Sequence, residues 1–160
     1  MAFETGACGP SDHVPPSPAA ASETPARGWV LLAEDDDEMR TLMAEALRAG
    51  GYGVEEAING ADLLAKAGRT LLGQGRQEIG VVVTDIQMPG FTGLEVLAAL
   101  HSVAPGMPVI VVTAFSNAES RAEAQTFGAR NFLEKPLDMD ELRAAVDAAM
   151  PASNPARPRP

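Results

Sequence analysis

The sequence has few cysteines and few basic residues. Cys8 is its one cysteine, so no internal disulfide can form, and no metal-ligand spacing surrounds it. The 12 Lys and Arg residues are outnumbered by 22 Asp and Glu residues, which gives a formal net charge of -10. Proteins bind the phosphate backbone of nucleic acid through clusters of Lys and Arg, which this chain lacks, so we predict no direct contact with nucleic acid. The lone cysteine favours a reducing cytoplasm.

Long apolar runs are also missing. No segment contains the roughly 18 uncharged apolar residues of a membrane-spanning helix, and the N-terminal region has no signal-peptide pattern. We therefore predict a cytoplasmic protein without a membrane partner.

Large apolar side chains are scarce at both ends of the chain. Residues 1–27 are rich in Pro, Ala, Ser and Gly, and residues 151–160 repeat that composition, so both are predicted to be disordered tails. The span 28–150 is long enough for one core of ordinary size. We expect one folded domain there and none after Met150, so the chain is either complete in itself or part of a larger protein.

Five apolar or β-branched runs alternate with amphipathic stretches inside that span, which predicts strands alternating with helices. The third and fourth runs are apolar throughout, as in strands buried on both faces of a parallel sheet. Right-handed crossovers favour a three-layer α/β/α sandwich with strand order 2-1-3-4-5, the flavodoxin-like arrangement. The runs are WVLLA (29–33), YGVEEA (52–57), IGVVVT (79–84), PVIVV (108–112) and ARNFLE (129–134).

Three helix starts carry a capping pattern, a short polar residue followed three positions later by Glu. In this pattern the two side chains satisfy free amides of the first turn reciprocally. We expect helices to begin at Thr92 with Glu95, Ser116 with Glu119, and Asp138 with Glu141.

Acidic residues follow two of the predicted strands. The run EDDDE (34–38) follows the first strand and Asp85 follows the third, the two strand ends at which such sheets bind ligands. Converging carboxylates need a cation or must protonate, and hard oxygen ligands without His or Cys favour Mg²⁺. Taken singly, EDDDE also fits a helix cap with a solvated first turn, and Asp85 a loop carboxylate before Pro89 and Gly90.

Thr113 and Lys135 follow the fourth and fifth strands at the same edge. A hydroxyl and an ammonium beside a carboxylate–metal cluster are the groups that bind the oxygens of a transferring phosphoryl group. Lys135 is one of two lysines, although a surface lysine without a function remains an alternative.

Four segments match a known pattern in order and nearly in spacing. They are VLLAEDDDEMR (30–40), VVVTDIQMPGFTGLEVL (81–97), VIVVTAFS (109–116) and NFLEKPL (131–137). Together they resemble the response-regulator receiver family over nearly all of 28–150. The resemblance implies the receiver fold and a switch that a histidine kinase or histidine phosphotransfer protein phosphorylates.

The resemblance also implies roles for single residues. Asp85 would be the phosphoacceptor, and Asp35 would ligate Mg²⁺ directly. Glu34 would act on the metal through water, and the backbone carbonyl of Gln87 would complete the protein's share of the metal ligands.

A second group of implied residues carries the switch. Thr113 would be the switch hydroxyl, Lys135 the phosphoryl-binding ammonium and Phe132 the rotating switch aromatic, with a cis Lys135–Pro136 bond. An aromatic in a short strand is also an ordinary core residue. The implied output is the surface of helix 4, strand 5 and helix 5, which the family uses for partners or a homodimer.

The chain departs from the family's usual pattern in three places. The segment from Asn59 to Ile79 is several residues longer, which predicts an extended second helix or loop. The acidic pair begins with Glu34 rather than Asp. Phe115 is bulky and close to where an attacking water would approach, which leaves the hydrolysis rate of the phosphoryl group open.

Two other functions fit parts of the sequence. A haloacid-dehalogenase-like phosphatase also uses an Asp nucleophile, Mg²⁺ and Lys, but it needs a second Asp where this chain has Gln87, and its nucleophile follows strand 1. A phosphorylation-independent adaptor with the same fold would not need the intact site residues. We predict a signalling phosphoacceptor rather than an enzyme, with self-phosphorylation from small donors, self-dephosphorylation and an unidentified downstream partner.

Overall fold

The computed structural model describes residues 25–114 and 117–151, which form a five-stranded sheet flanked by five helices. All strand pairs in this part of the chain are parallel, in the order β2-β1-β3-β4-β5, which confirms the predicted three-layer α/β/α sandwich. The elements are β1 (Trp29–Ala33), α1 (Asp37–Ala49), β2 (Gly53–Ala57), α2 (Gly60–Leu71), β3 (Ile79–Asp85), α3 (Gly93–Val103), β4 (Val109–Thr113), α4 (Ala118–Thr126), β5 (Ala129–Glu134) and α5 (Met139–Ala149).

The strands differ from the predicted runs only at their ends. β3 gains Asp85 and β4 gains Thr113 at the carboxyl end, so the hydrogen-bonded sheet extends to two of the candidate site residues. β4 begins after Pro108, which has no N–H to donate to the neighbouring strand. The long segment between Asn59 and Ile79 forms α2 and a connection over residues 72–78.

The central strands are buried on both faces because successive side chains point to opposite sides of the sheet. Val30 and Leu32 of β1 pack in one layer with α1 and α5, whereas Leu31 and Ala33 pack in the other with α2, α3 and α4. All four side chains are at most 1% exposed. Burial of a Val or Leu side chain contributes about 1.5–3 kcal/mol, so this strand belongs to the rigid frame that holds the strand ends in place.

Two of the three predicted helix starts lie where the capping pattern placed them. Thr92 and Glu95 form a capping box at α3, and Asp138 caps α5 by accepting a bond from the N–H of Asp140. The expected start of α4 at Ser116 was wrong. Asn117 is the N-cap, because its side chain accepts a bond from the N–H of Ser120. Ser116 and Phe115 themselves lie outside the described residues.

The two ends of the predicted domain are in contact. A Cβ atom at Gly28 would lie 3.1 Å from Met150 Sδ, and one at Gly80 only 2.5 Å from it. The Met150 side chain therefore packs on the backbone where β1 and β3 begin. Arg27, on the tail side of the predicted boundary, pairs with Asp147 at 2.8 Å.

The limits of the folded domain remain a prediction. Residues 1–24, with Cys8, and residues 152–160 lie outside the described part of the chain, so the predicted tails are not placed. Within residues 25–114 and 117–151, none of the helices is long and apolar enough to cross a membrane.

Candidate functional site

Four candidate residues lie at the carboxyl ends of neighbouring strands. Glu34 directly follows β1, Asp85 ends β3, Thr113 ends β4 and Lys135 directly follows β5. Parallel pairing aligns these strand ends at one edge of the sheet. The backbone N–H of Lys135 donates to the carbonyl of Thr113 at 2.8 Å, which continues the pairing beyond β5.

Three carboxylates converge at this edge. Oxygen atoms of Glu34, Asp35 and Asp85 all lie within 4.8 Å of one another. The side chains of Glu34 and Asp85 are only 2% and 6% exposed, whereas Asp35 faces solvent. These are hard oxygen donors, and two of them are shielded from water, so the residues present fit a divalent cation such as Mg²⁺.

Lys135 joins two of the carboxylates. Its Nζ lies 2.8 Å from Glu34 Oε2 and 2.8 Å from Asp85 Oδ2. Partial burial disfavours the ammonium, but the hydrogen bonds to Asp85 and Glu34 outweigh it and raise the pKa of Lys135. The lysine therefore stays protonated and can hold an anionic group at Asp85.

The carboxyl group of Glu34 is more easily protonated than an ordinary Glu. Burial raises its pKa first, and the charge of Asp85 raises it further, while the hydrogen bond from Lys135 opposes both. A bound cation would therefore reduce the repulsion between the carboxylates of Glu34 and Asp85.

The loop after Asp85 is held close to the start of α3. The N–H of Gln87 donates to Asp85 Oδ1 at 2.9 Å, and the N–H of Gly93 donates to the carbonyl of Ile86 at 2.9 Å. A Cβ atom at Gly93 would lie 2.4 Å from the carbonyl oxygen of Asp85. Position 93 therefore has room for glycine alone.

Thr113 and Phe132, the two predicted switch residues, lie on the neighbouring strands β4 and β5. Thr113 is fully buried at the end of β4, and Phe132 is half-buried on β5 beside Val111 of β4. The Arg121 guanidinium lies 5.0 Å from the centre of the Phe132 ring and also pairs with Glu134 at 2.8 Å. The Phe132 ring thus faces α4. The Lys135–Pro136 bond is cis, as expected.

Sequence reasoning missed two residues that contact the site. Gly93 packs against the Asp85 carbonyl, and Arg40 donates a hydrogen bond to the carbonyl of Glu34 at 2.9 Å. The signal for Arg40 was its place in EDDDEMR, where a cation one turn into a helix follows an acidic run.

The family model for the response regulator receiver domain matches residues 30–147. The chain therefore belongs to the response regulator receiver family and is a receiver domain of the two-component response regulators. Receiver domains are signalling phosphoacceptors, and they interact with histidine kinases.

Among individual relatives, the transcriptional regulatory protein GlrR of Escherichia coli K12 is 36% identical over 127 residues, covering 79% of this chain and 27% of GlrR. The DNA-binding transcriptional regulator NtrC of the same strain is 35% identical over 125 residues, covering 78% and 25%. The chain thus spans about a quarter of each relative's length. DNA binding belongs to NtrC as a whole, so the absence of nucleic-acid contact in this chain remains a prediction.

Two solved structures of similar fold are bacterial response regulators or chemotaxis proteins. The chemotaxis protein CheY4 of Vibrio cholerae has a TM-score of 0.68 at 28% identity, covering 78% of this chain and 100% of that one. The response regulator TrrA of Thermotoga maritima, solved in complex with Mg(2+)-BeF, has a TM-score of 0.65 at 28% identity, covering 77% and 99%.

Proposed function

We propose that this receiver domain accepts a phosphoryl group on Asp85. A carboxylate oxygen of Asp85 would attack the phosphorus of a phosphohistidine or a small acyl phosphate, and the bond from phosphorus to the donor would break as the acyl phosphate forms. The observation that carries the proposal is the position of Lys135 Nζ, 2.8 Å from Asp85 Oδ2, within a group of three carboxylates. Positioning and charge stabilisation are the main requirements of this transfer.

The other residues would bind the reacting group. Lys135 would hold one phosphoryl oxygen and the Thr113 hydroxyl another, while the loop bond from Gln87 orients Asp85. Glu34, Asp35, Asp85 and the Gln87 carbonyl would hold Mg²⁺. The bound ion would supply neutralising charge to the phosphoryl oxygens.

A histidine kinase or phosphotransfer protein would be the donor in the cytoplasm, and the domain would span 28–150 between its tails. The domain itself would contact neither nucleic acid nor membrane, and it would catalyse nothing beyond its own phosphorylation and dephosphorylation. A phosphatase of the haloacid-dehalogenase type would need a carboxylate at position 87, where this chain has an exposed Gln87.

Incubation of the full chain with acetyl phosphate and Mg²⁺ tests the phosphoacceptor role. We expect an adduct of one phosphoryl group by intact-mass analysis, and at least a tenfold lower rate when a chelator removes the metal, since three crowded carboxylates repel an anionic donor. A chain that stays unmodified at saturating donor and Mg²⁺, yet is folded by circular dichroism, would favour a phosphorylation-independent adaptor.

The proposed output is a change at the surface of α4, β5 and α5, which would bind a downstream partner or a second copy. A phosphoryl group adds about -1.5 to -2 charges and would draw Thr113 and Lys135 toward it. Phe132 could then turn inward, which would release the ring from Arg121. Phosphorylation would shift the population between the outward and inward positions of the Phe132 ring. The size of the shift is limited by how much better the phosphoryl group binds one state than the other.

Amide NMR with beryllofluoride as the phosphoryl mimic tests this route. We expect shifts along residues 118–134 as well as around Asp35 and Asp85, because the Phe132 ring lies between β5 and α4. Shifts confined to the loops at the carboxylates would mean that the signal leaves by another surface. Addition of Mg²⁺ without beryllofluoride serves as the control.

A further inference from the structure

Arg40 links three elements near the acidic edge of the sheet. Its side chain is 13% exposed, and its guanidinium donates to the carbonyl of Glu34 at 2.9 Å and to Asp37 Oδ1 at 2.5 Å. Its Nε also lies 3.5 Å from Glu56 Oε1. One planar cation therefore ties the end of β1 to the start of α1 and to β2.

These contacts complete the backbone bonding of Glu34. Its N–H donates to the carbonyl of Ala57 at 3.2 Å, and its own carbonyl accepts from Arg40. That carbonyl belongs to the planar peptide unit shared with Asp35. The peptide units on both sides of Glu34 are thus fixed, which sets the direction in which the two acidic side chains leave the backbone.

We propose that Arg40 is a positioning residue for the cation site. It would act through the Glu34 carbonyl, by holding Glu34 and Asp35 in the orientation in which their carboxylates meet Asp85. The inference rests on the proposed Mg²⁺ site, which it deepens by adding a residue that would not touch the ion.

The charge of Arg40 and its positioning role predict opposite changes in Mg²⁺ affinity when the residue is replaced. A cation near a cation site repels the ion, so on charge alone the loss of Arg40 would tighten Mg²⁺ binding. Loss of positioning would weaken binding instead. Partners that orient metal ligands without touching the metal are typically worth about 10–100-fold in metal affinity. The carboxylates of Asp37 and Glu56 offset the charge of Arg40, which leaves the positioning effect as the larger of the two.

Arg48 is a matched control on the same helix. It also pairs with Glu56, at 3.0 Å, and donates to a backbone carbonyl, that of Val54 at 3.3 Å. Both contacts go to β2, and its side chain is 49% exposed. Arg48→Gln therefore removes a cation that pairs with the same carboxylate, Glu56, but leaves the hydrogen bond from Arg40 to the Glu34 carbonyl intact.

Titration of the unphosphorylated full chain with Mg²⁺ by calorimetry tests the inference. We expect Arg40→Gln to raise the Kd at least tenfold, Arg48→Gln to change it less than twofold, and Arg40→Lys to fall between wild type and Arg40→Gln, since an ammonium cannot reproduce the guanidinium fork. Amide NMR of the metal-free proteins gives a second readout, in which Arg40→Gln should shift the Asp35 and Asp36 signals and Arg48→Gln should not.

The outcomes separate this inference from the proposed function. An Arg40→Gln Kd equal to or below that of wild type would overturn it, as would equal effects of the two Gln variants. Should Arg40→Gln not fold, an unchanged Kd in Arg40→Lys overturns it instead. A wild-type chain that binds no Mg²⁺ would refute the proposed metal site, and unshifted Asp35 and Asp36 amides in the Arg40 variants would then refute the positioning role as well.

Discussion

Asp85→Asn should abolish the phosphoryl adduct formed from acetyl phosphate and Mg²⁺. The amide cannot serve as an anionic nucleophile, and Asp85 is the carboxylate whose Oδ2 meets the Lys135 ammonium at 2.8 Å. The chain should remain folded, because Lys135 keeps its bond to Glu34 and the repulsion between two buried carboxylates is relieved. Intact-mass analysis measures the adduct, and urea unfolding measures the stability.

Asp36→Asn is the matched control for that substitution. Asp36 is the N-cap of α1, where its side chain accepts a bond from the N–H of Met39, and Asn caps a helix about as well as Asp. This variant should be phosphorylated at a rate near that of wild type. An undiminished adduct in Asp85→Asn would place the phosphoacceptor elsewhere.

Gly93→Ala should damage both stability and phosphorylation. The new methyl group would lie 2.4 Å from the Asp85 carbonyl oxygen and 2.6 Å from Ile86 Cα, both backbone atoms that cannot swing away. Overpacking of this kind costs about 1–3 kcal/mol of unfolding free energy. A shift of about 1 Å at Asp85 would also slow phosphoryl transfer by up to about 10²-fold.

The same substitution at Gly68 gives the control. Gly68 lies within α2, and a Cβ atom there would meet nothing within 4 Å, so Gly68→Ala should stabilise the protein by about 0.5–1 kcal/mol through helix propensity. Urea unfolding and the initial rate of adduct formation check both variants. Wild-type stability and rate in Gly93→Ala would mean that the loop after Asp85 can move without cost.

Simple patterns in the sequence predicted the sheet and the alignment of its strand ends at one edge. Continuous apolar runs predicted β3 and β4, and the polar residue at the end of each run was placed correctly at the carboxyl edge. That logic needs only the side-chain period of a strand and parallel pairing. It therefore predicted where Asp85 and Thr113 lie, but not the interactions around them.

The missed features depend on distances between segments that the sequence pattern does not specify. The contact of Gly93 with Asp85 requires knowing how closely α3 approaches the loop, and that of Arg40 with Glu34 requires the rotation of α1 on the sheet. The misplaced start of α4 has a local cause. Ser116 and Asn117 are both good N-cap residues, so composition alone could not choose between adjacent positions.

The contact between Gly28 and Met150 has a consequence for whatever is joined to this domain. Segments before and after it leave from neighbouring points at the amino ends of the strands, about 17 Å along β1 from the carboxylates at the other edge. Groups joined at neighbouring points of one domain have a raised effective concentration for one another. Modules attached on either side would therefore meet one another readily, whereas a donor approaching Asp85 would find the opposite end of the domain unobstructed by the attachment points.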